Sequence, residues 1–472
     1  MPPVRRMVLA RVAGAVALVA VFAAEGCRSA NPVPTVAVEA AAPAPAATAP
    51  AEAPASVVRP AFAPPAAATQ PAGAGITTRL QERRSWHFDA DALAGAPAVH
   101  FDNQFEGGRV NDCRRVGPRE FRLVVEPENE PINPSPWYAF RVRADAPVDL
   151  RVRIAIATAK SRPRAHLSDD GIDWRRATDE EWQGKSGAPE CFLSLRAGPD
   201  ATWVASQPMI GTVRIDAWAD ALAARADGSV REIGRSVAGR PIRMLEFAQP
   251  GAPEDWLVVI GRQHPPEVPG TVGLMRFMET VLGPGEDARR FRARFRIALV
   301  PIVNPDGVAE GQWRSTLAAV DPNRDWGPFA LQETRAVRDA ILAIAARPGA
   351  RMRLLLDFHA TAKDIFYLPP DDAMLEPAGF GIAWTDAIQR RFPDYEMERT
   401  GSHNLKEWTF KRWAAETFRA PGITYELGYS TPHARIEEIA GGAAEEAMRL
   451  LLRGVSARPA RHARPAPLLT AA

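Results

Sequence analysis

The sequence is poor in the residues that cross-link a chain or give it a strong electrostatic field. Its 472 residues include only three cysteines, Cys27, Cys113 and Cys191, which excludes a disulfide-dense scaffold. Lys and Arg (58) nearly balance Asp and Glu (56), leaving a formal net charge of +2. Such a balance supplies no field that would recruit nucleic acid. We therefore expect no nucleic-acid partner, and function must come from a local site.

The N-terminal region carries a short apolar run with the pattern of an export signal. The run, residues 12–24, follows two arginines, is too short to favour a spanning helix and has the length of a secretory h-region. Small residues before Cys27 are similar to the lipobox of bacterial lipoproteins, although Glu25 departs from that pattern. We predict a lipoprotein-type signal peptide over 1–27 with lipidation at Cys27. Plain secretion and a retained membrane anchor are the alternatives.

This prediction implies an exported protein, either periplasmic or a membrane-anchored lipoprotein, that contacts a membrane only through its N-terminal lipid. Residues 28–80 are mostly Ala, Pro, Val and Thr, and the C-terminal residues 456–472 have a similar composition. Segments of this kind bury too little apolar surface to offset the entropy of ordering them. We therefore predict a disordered tether over 28–80 and a disordered tail over 456–472.

The first folded region is predicted to be a small all-β sandwich over residues 81–210. Short strand-like runs, including Phe121–Val125, Trp137–Val142 and Leu150–Ile156, are separated by turn-rich stretches such as Pro127–Pro136. No group of titratable residues in this region has a catalytic pattern.

Two of the three cysteines, Cys113 and Cys191, lie in this β region. If Cys27 carries lipid, these two remain as a possible disulfide pair in an oxidising compartment. Two free, partly buried thiols are the alternative.

The second region, residues 211–455, alternates strands and helices, which is typical of an α/β domain with a largely buried central sheet. The predicted central strands are Trp256–Ile260, Phe295–Val303, Met352–Phe358 and Ile423–Leu427. The predicted helices are Thr271–Leu282, Leu331–Ala346, Met374–Arg391 and Arg435–Leu452.

Polar residues follow these strands or lie near their ends, where ligands of α/β sheets gather. His264, Asn304 and His359 each follow a predicted strand, and Glu426 lies near the end of the last one. His264 and Glu267 are three positions apart, a spacing that lets both reach one ion from a tight turn. His359 is the candidate third ligand, which would leave a coordination position for water, as catalytic zinc requires.

Four separated motifs resemble the zinc metallocarboxypeptidase family in order and local context. They are Gly261–Glu267, the stretch Val303–Trp326 with its Asn-Pro-Asp-Gly block, Asp357–His359, and Thr424–Leu427. The subgroup most similar to the chain is that of the cytosolic carboxypeptidases and their bacterial relatives, in which a small β-sandwich also precedes the catalytic unit. The resemblance implies a zinc-carboxypeptidase-type α/β/α domain with a mixed central sheet.

The resemblance also assigns the metal site. It implies one Zn²⁺ per chain, held by His264, Glu267 and His359, with Glu426 as the general base. Asp321 matches the carboxylate that orients a histidine ligand, a component that metal sites commonly need.

Three further residues match the family's substrate-binding positions. Asn323 and Arg324 correspond to the pair that grips the terminal carboxylate of the substrate, where a planar guanidinium can bind both oxygens. Arg314 corresponds to the arginine that stabilises the oxyanion.

Two departures from the family pattern stand out. Pro266 occupies a position where the subgroup usually has glycine, which stiffens the ligand turn. The digestive members also use a tyrosine that folds over the substrate, yet none occurs between Tyr395 and Tyr425. We interpret His403 as a structural or surface residue, and the stretch Trp408–Trp413 as core.

The function implied by the resemblance is zinc-dependent hydrolysis of a peptide's C-terminal amide bond, by a metal-activated water with a glutamate base. The expected substrate is a peptide or muropeptide with a free carboxylate. Three alternatives stay open: a peptidoglycan stem-peptide amidase or carboxypeptidase, a deacylase of N-acyl amino acids, and a non-catalytic zinc-containing binding module.

Overall fold

The computed structural model describes residues 78, 80–130, 132–133, 135–157, 164–185, 188–370 and 373–454. The predictions for residues 1–27, including Cys27, and for 456–472 lie outside the described residues. The predicted tether lies outside them too, apart from residues 78 and 80.

The described part of the N-terminal region forms two β-sheets. One sheet has the strand order β1-β2-β5-β11-β7-β8 and the other β3-β4-β6-β10-β9. These strands are β1 (Ser85–Phe88), β2 (Val99–Asp102), β3 (Asp112–Gly117), β4 (Glu120–Val125), β5 (Ala139–Ala144), β6 (Val148–Ile156), β7 (His166–Ser168), β8 (Arg175–Arg176), β9 (Trp182–Gln183), β10 (Glu190–Ala197) and β11 (Thr202–Ala205).

The two sheets pack face to face through apolar side chains. Phe101 of the first sheet contacts Phe121 of the second, with ring centroids 5.0 Å apart. Along β6, buried side chains alternate with exposed ones because successive side chains of a strand point to opposite faces. The predicted β-rich region is therefore present.

The possible disulfide between Cys113 and Cys191 is not formed: both cysteines are free and buried, which is the alternative given above. Cys113 lies opposite Leu123 on the next strand, Leu123 lies opposite Ile154, and Ile154 lies opposite Cys191. The two cysteines are thus separated by three strand spacings, about 14 Å. A bridge requires Cα atoms no more than about 7 Å apart.

The C-terminal region contains a mixed sheet in the order β12-β13-β15-β14-β16-β19-β17-β18. Its strands are β12 (Ser229–Arg235), β13 (Pro241–Phe247), β14 (Asp255–Gly261), β15 (Arg296–Val300), β16 (Arg351–Thr361), β17 (Ile365–Tyr367), β18 (Glu398–Thr400) and β19 (Gly422–Gly428). The central strands β15, β14, β16 and β19 are parallel. Strand β13 is antiparallel to β15, β12 is antiparallel to β13, and β17 is antiparallel to β19.

Helices cover both faces of this sheet. They are α1 (Thr212–Arg225), α2 (Val268–Val281), α3 (Glu286–Arg292), α4 (Pro305–Glu310), α5 (Gln332–Ala345), α6 (Phe380–Arg391), α7 (Phe410–Phe418) and α8 (His433–Arg453), with a 3-10 helix at Pro322–Arg324. Leu257 and Val259 of β14 belong to the same core as α2, α6 and α8, whereas Val258 and Ile260 belong to the core that includes α5 and α7. This is the predicted α/β/α arrangement with a mixed sheet.

The predicted central strands are confirmed, although the boundaries of several elements differ, and two of these differences bear on the site or have a local cause. Strand β16 continues to Thr361, so His359 lies inside the strand rather than after it. The helix predicted from Met374 begins only at Phe380, because Pro377 and the left-handed Gly379 (φ 65°) precede it. Within the described residues, none of the helices has the length and apolarity needed to cross a membrane.

Candidate active site

A polar cleft opens at the carboxyl ends of the parallel strands. Its volume is about 520 Å³, and the sequence-predicted residues His264, Glu267, Arg314, Asn323, Arg324 and Glu426 all line it. His264 follows β14, His359 lies on β16, and Glu426 lies directly opposite His359 on β19. The sheet therefore brings together residues that are far apart in the sequence.

Glu267 lies between the two histidines of the predicted metal site. Its Oε1 is 2.8 Å from His264 Nδ1, and its Oε2 is 2.7 Å from His359 Nδ1. One ligand atom from each of the three residues lies within 4.8 Å of the others, and all three residues are buried. Two imidazoles and one carboxylate form the ligand set of an open catalytic zinc site, so these residues fit the metal.

The electrostatics of the three ligands reflect this close approach. Burial alone would raise the pKa of Glu267, but His264 and His359 outweigh it and hold that pKa well below its usual range. Burial likewise opposes the charge on His359, yet Asp357 and Glu267 raise the pKa of its imidazole well above the ordinary value. The ligands thus form a densely charged, buried cluster.

Each histidine is held from behind by a second carboxylate. His264 Nε2 lies 2.9 Å from Asp321 Oδ1, and His359 Nε2 lies 2.8 Å from Asp357 Oδ2. In a neutral imidazole whose Nε2–H donates to such an acceptor, as metal binding requires, Nδ1 keeps a lone pair that faces the site. Asp321 therefore lies where the sequence places an orienting carboxylate.

Glu426, the predicted base, has an unsatisfied carboxylate oxygen. Its Oε2 is buried and has no hydrogen-bond partner among the described residues. Burial, together with the nearby Glu267, raises the pKa of Glu426 to about 8. A carboxylate with a raised pKa at the wall of a cleft is suited to accept and return a proton near neutral pH.

Arg314 is tied to the metal site through Asp321. Its Nε donates to Asp321 Oδ2 at 2.7 Å, so one carboxylate holds both this arginine and His264. Burial by itself would raise the pKa of Asp321, but Arg314 and His264 keep it well below its usual range. A buried cation at the edge of the metal site can stabilise developing negative charge.

Asn323 and Arg324 lie beside each other on the 3-10 helix, and both line the cleft. Asn323 Nδ2 is 3.3 Å from His359 Nε2, and Asn323 Oδ1 accepts a hydrogen bond from Phe410 N at 3.1 Å. Arg324 donates to the carbonyl of Asn323 at 2.8 Å and lies 3.4 Å from Glu407. Its guanidinium remains partly exposed to the cleft.

Two residues that the sequence pattern does not reveal support the ligands from buried positions. Asp357 orients His359 and also accepts a hydrogen bond from Gln263 Nε2 at 2.7 Å. Arg262 has a left-handed backbone (φ 53°), and its guanidinium donates to the carbonyl of Pro265 and to Thr271 Oγ1, which fixes the ligand turn. Asp357 belongs to the Asp357–His359 motif, but a position within a buried strand does not by itself indicate this role.

A further group of residues lines the cleft from loops and neighbouring elements. His403, interpreted above as structural or on the surface, instead lies in the cleft wall and stacks on Tyr367 with ring centroids 3.8 Å apart. Lys411 and Tyr429 also line the cleft. The two tyrosines of the cleft, Tyr367 and Tyr429, lie outside the stretch between Tyr395 and Tyr425. In the stretch Trp408–Trp413, Phe410 and Trp413 lie in the core as predicted, whereas Lys411 lines the cleft.

Lys411 brings a buried positive charge to the cleft. Its Nζ donates to the carbonyls of His403 (2.8 Å) and Leu368 (3.4 Å), and none of the described carboxylates pairs with it. Burial lowers the pKa of Lys411 to about 8. Burial first, and then Lys411 and Arg324, also lower the pKa of His403. This wall of the cleft is therefore suited to an anionic group.

Comparisons with known proteins agree with this geometry. Residues 215–377 match the family model described as zinc carboxypeptidase. Cytosolic carboxypeptidase 2 of Xenopus tropicalis is 25% identical over 262 residues, covering 48% of this chain and 27% of that protein. Cytosolic carboxypeptidase 6 of Mus musculus is 27% identical over 137 residues, covering 27% of this chain and 25% of that protein. The chain thus spans about a quarter of the length of these relatives.

Solved structures show the same fold. A metallo-carboxypeptidase from Burkholderia cenocepacia superposes with a TM-score of 0.62 at 23% identity, covering 75% of this chain and 98% of that one. A metallo-carboxypeptidase from Pseudomonas aeruginosa gives a TM-score of 0.61 at 20% identity, covering 74% of this chain and 98% of that one. The family match over residues 215–377 and the ligand cluster support a zinc carboxypeptidase family member, and the solved structures share its fold.

Proposed function

We propose that this protein is a zinc-dependent carboxypeptidase that removes the C-terminal residue of a peptide. The observation that carries the proposal is one cleft that joins the ligand cluster, the carboxylate of Glu426 and two arginines, Arg314 and Arg324. A zinc ion held by the ligand cluster would supply a water of lowered pKa and would polarise the scissile carbonyl.

The residues of the chain supply the remaining steps. Arg324, with Asn323, binds the substrate's terminal carboxylate through a planar guanidinium. Glu426 accepts a proton from the attacking water and returns it to the nitrogen of the leaving amino acid. Arg314 stabilises the negative charge that develops on the carbonyl oxygen, a contribution of about 3 to 4 kcal/mol for a single oxyanion donor.

The cleft favours hydrolysis over mere binding. A protein that only held zinc would have no physical need for the buried, unsatisfied carboxylate oxygen of Glu426. Desolvation makes such a group costly unless a ligand or a reaction uses it. Export of the protein and lipidation of Cys27 stay predictions.

The experiment that tests the proposed function compares a peptide with its C-terminal amide. Amidation removes the carboxylate to which Arg324 and Asn323 would donate charge-assisted hydrogen bonds, so it should lower kcat/KM by a factor equivalent to about 1.5 to 3 kcal/mol. Arg324→Ala should remove most of the discrimination between acid and amide, whereas Glu426→Gln should slow both substrates alike.

Cleavage of amidated peptides or of internal bonds at the rate of free C-termini would contradict the assignment of Arg324. A purified muropeptide cut far faster than any linear peptide would instead favour peptidoglycan as the substrate.

A further inference from the structure

Glu128 links the β domain to the backbone that carries Arg314. It lies in a turn-rich stretch of the β domain and is only 1% exposed. Its Oε2 accepts a hydrogen bond from Trp313 N at 2.8 Å. Its Oε1 accepts from Arg314 N at 2.9 Å and from Ser315 N at 2.8 Å. Three successive backbone amides of the α/β domain thus converge on one carboxylate of the other domain.

The Glu128 carboxylate supplies the hydrogen-bond acceptors that a helix or strand would otherwise provide for these backbone amides. Residues 313–315 belong to neither a helix nor a strand, so their backbone amides need partners from elsewhere. Converging backbone amides form a concave anion site, and hydrogen bonds from amides to a carboxylate are stronger than those between neutral groups. Without Glu128, buried amides would lose their acceptor.

Neighbouring contacts hold the same segment on both sides. Trp313 is fully buried, and its Nε1 donates to the carbonyl of Trp137 in the β domain at 3.0 Å. On the other side, Asn304 Nδ2 donates to the carbonyl of Ser315 at 3.0 Å. The backbone at Arg314 is therefore fixed between the β domain and the end of the central sheet, and its side chain extends to Asp321.

We propose that Glu128 is a positioning residue that holds Arg314 toward the cleft, so that the β domain completes the active site. The catalytic part of this proposal rests on the proposed function. The same stretch of the β domain supports it, because Asn133, Ser135 and Pro136 line the cleft, and Ser135 Oγ lies 3.2 Å from the hydroxyl of Tyr429.

A double-mutant cycle tests whether Glu128 acts through Arg314. Glu128→Gln keeps the side chain's shape but replaces one acceptor oxygen by a donor, so the three amides cannot all be satisfied. We expect full zinc content, a kcat lowered roughly 10- to 100-fold and a KM changed by less than about threefold, as for a displaced catalytic group. In an Arg314→Ala background, Glu128→Gln should lower kcat by less than about twofold, because the side chain that Glu128 positions is already absent.

Arg83→Met is the matched control. Arg83 also joins the two domains, through a hydrogen bond to the carbonyl of Ala309 at 2.7 Å, but it does not touch residues 313–315. The Arg83→Met substitution should lower thermal stability while leaving kcat within about twofold of wild type. Equal losses of kcat from Glu128→Gln in both backgrounds, or a loss as large in Arg83→Met, would overturn the proposal. If Glu128→Gln does not fold, the shorter Glu128→Asp takes its place with the same expected pattern.

Hydrogen exchange separates this proposal from the proposed function. The amides of Trp313, Arg314 and Ser315 should be protected in the wild type and exchange at least about tenfold faster in Glu128→Gln, with unchanged protection in the central strands. Unchanged exchange at these three amides would overturn the role of Glu128 even in an active enzyme. A wild-type protein without carboxypeptidase activity would refute the proposed function, and the exchange result would still decide whether Glu128 holds the segment.

Discussion

Asp321→Asn should weaken zinc binding and slow catalysis through two separate contacts. One carboxylate oxygen lies 2.9 Å from His264 Nε2, and the other lies 2.7 Å from Arg314 Nε. Asparagine has a single acceptor oxygen, so it can satisfy one of these donors and must turn its amide toward the other. The substitution therefore breaks the link between a metal ligand and the oxyanion arginine.

The magnitudes of the two effects follow from these contacts. Loss of a carboxylate behind a histidine ligand typically costs 10- to 100-fold in metal affinity, or about 1.4 to 2.7 kcal/mol. Loss of a charge-assisted hydrogen bond to Arg314 adds roughly 1.5 to 3 kcal/mol. We therefore expect a lower zinc affinity and, at saturating zinc, a kcat that is still reduced at least about tenfold.

Asp357→Asn provides the matched comparison for this prediction. Asp357 holds His359 and contacts Gln263, and within the described residues it forms no hydrogen bond or ion pair with an arginine. It should weaken zinc binding by a similar factor, but at saturating zinc it should keep most of the wild-type kcat. Zinc affinities from chelator competition and kcat at saturating zinc measure both quantities. Wild-type affinity in Asp321→Asn, or an equal kcat loss in both variants, would refute the reasoning.

Three further predictions follow from single side chains. Glu426→Gln should retain zinc but lose turnover, as metal analysis and peptide assays would show; near wild-type turnover would exclude Glu426 as the base. Lys411 has a pKa of about 8 in the folded protein, against an ordinary 10.5. Between these two pH values the unfolded state binds one more proton than the folded state. The free energy of unfolding should therefore rise by about 1.4 kcal/mol per pH unit in that window. Denaturant unfolding should show this rise in wild type relative to Lys411→Met, and a constant difference across the window would contradict it. Thiol titration of unreduced, denatured protein should find both Cys113 and Cys191 reactive, and neither reacting would show that they are bridged.

The metal ligands could be predicted from the sequence because their spacing is local or fixed by the sheet. His264 and Glu267 share one turn, and His359 is brought to them by the parallel pairing of β14 with β16. The resemblance to a known family then supplied the roles of Glu426, Arg314 and Arg324. Placement in one cleft agrees with those roles.

The residues that the sequence did not reveal act through contacts that depend on the folded chain. Lys411 and His403 lie near the cleft only because the connections after β18 and into α7 fold over the site. Glu128 belongs to a turn-rich stretch with no catalytic pattern, and its partners are backbone amides 185 to 187 residues away. The distance between Cys113 and Cys191 likewise depends on strand order, which the composition of the β region does not determine.

The most direct test of the account is the metal dependence of C-terminal amino-acid release. Protein stripped of metal should release no residue from a peptide with a free carboxylate, and one zinc per chain should restore the activity, because His264, Glu267 and His359 form a single three-ligand site. Mass spectrometry of the products should show loss of the C-terminal residue, leaving internal bonds intact. Full activity in thoroughly metal-free protein would contradict the central claim.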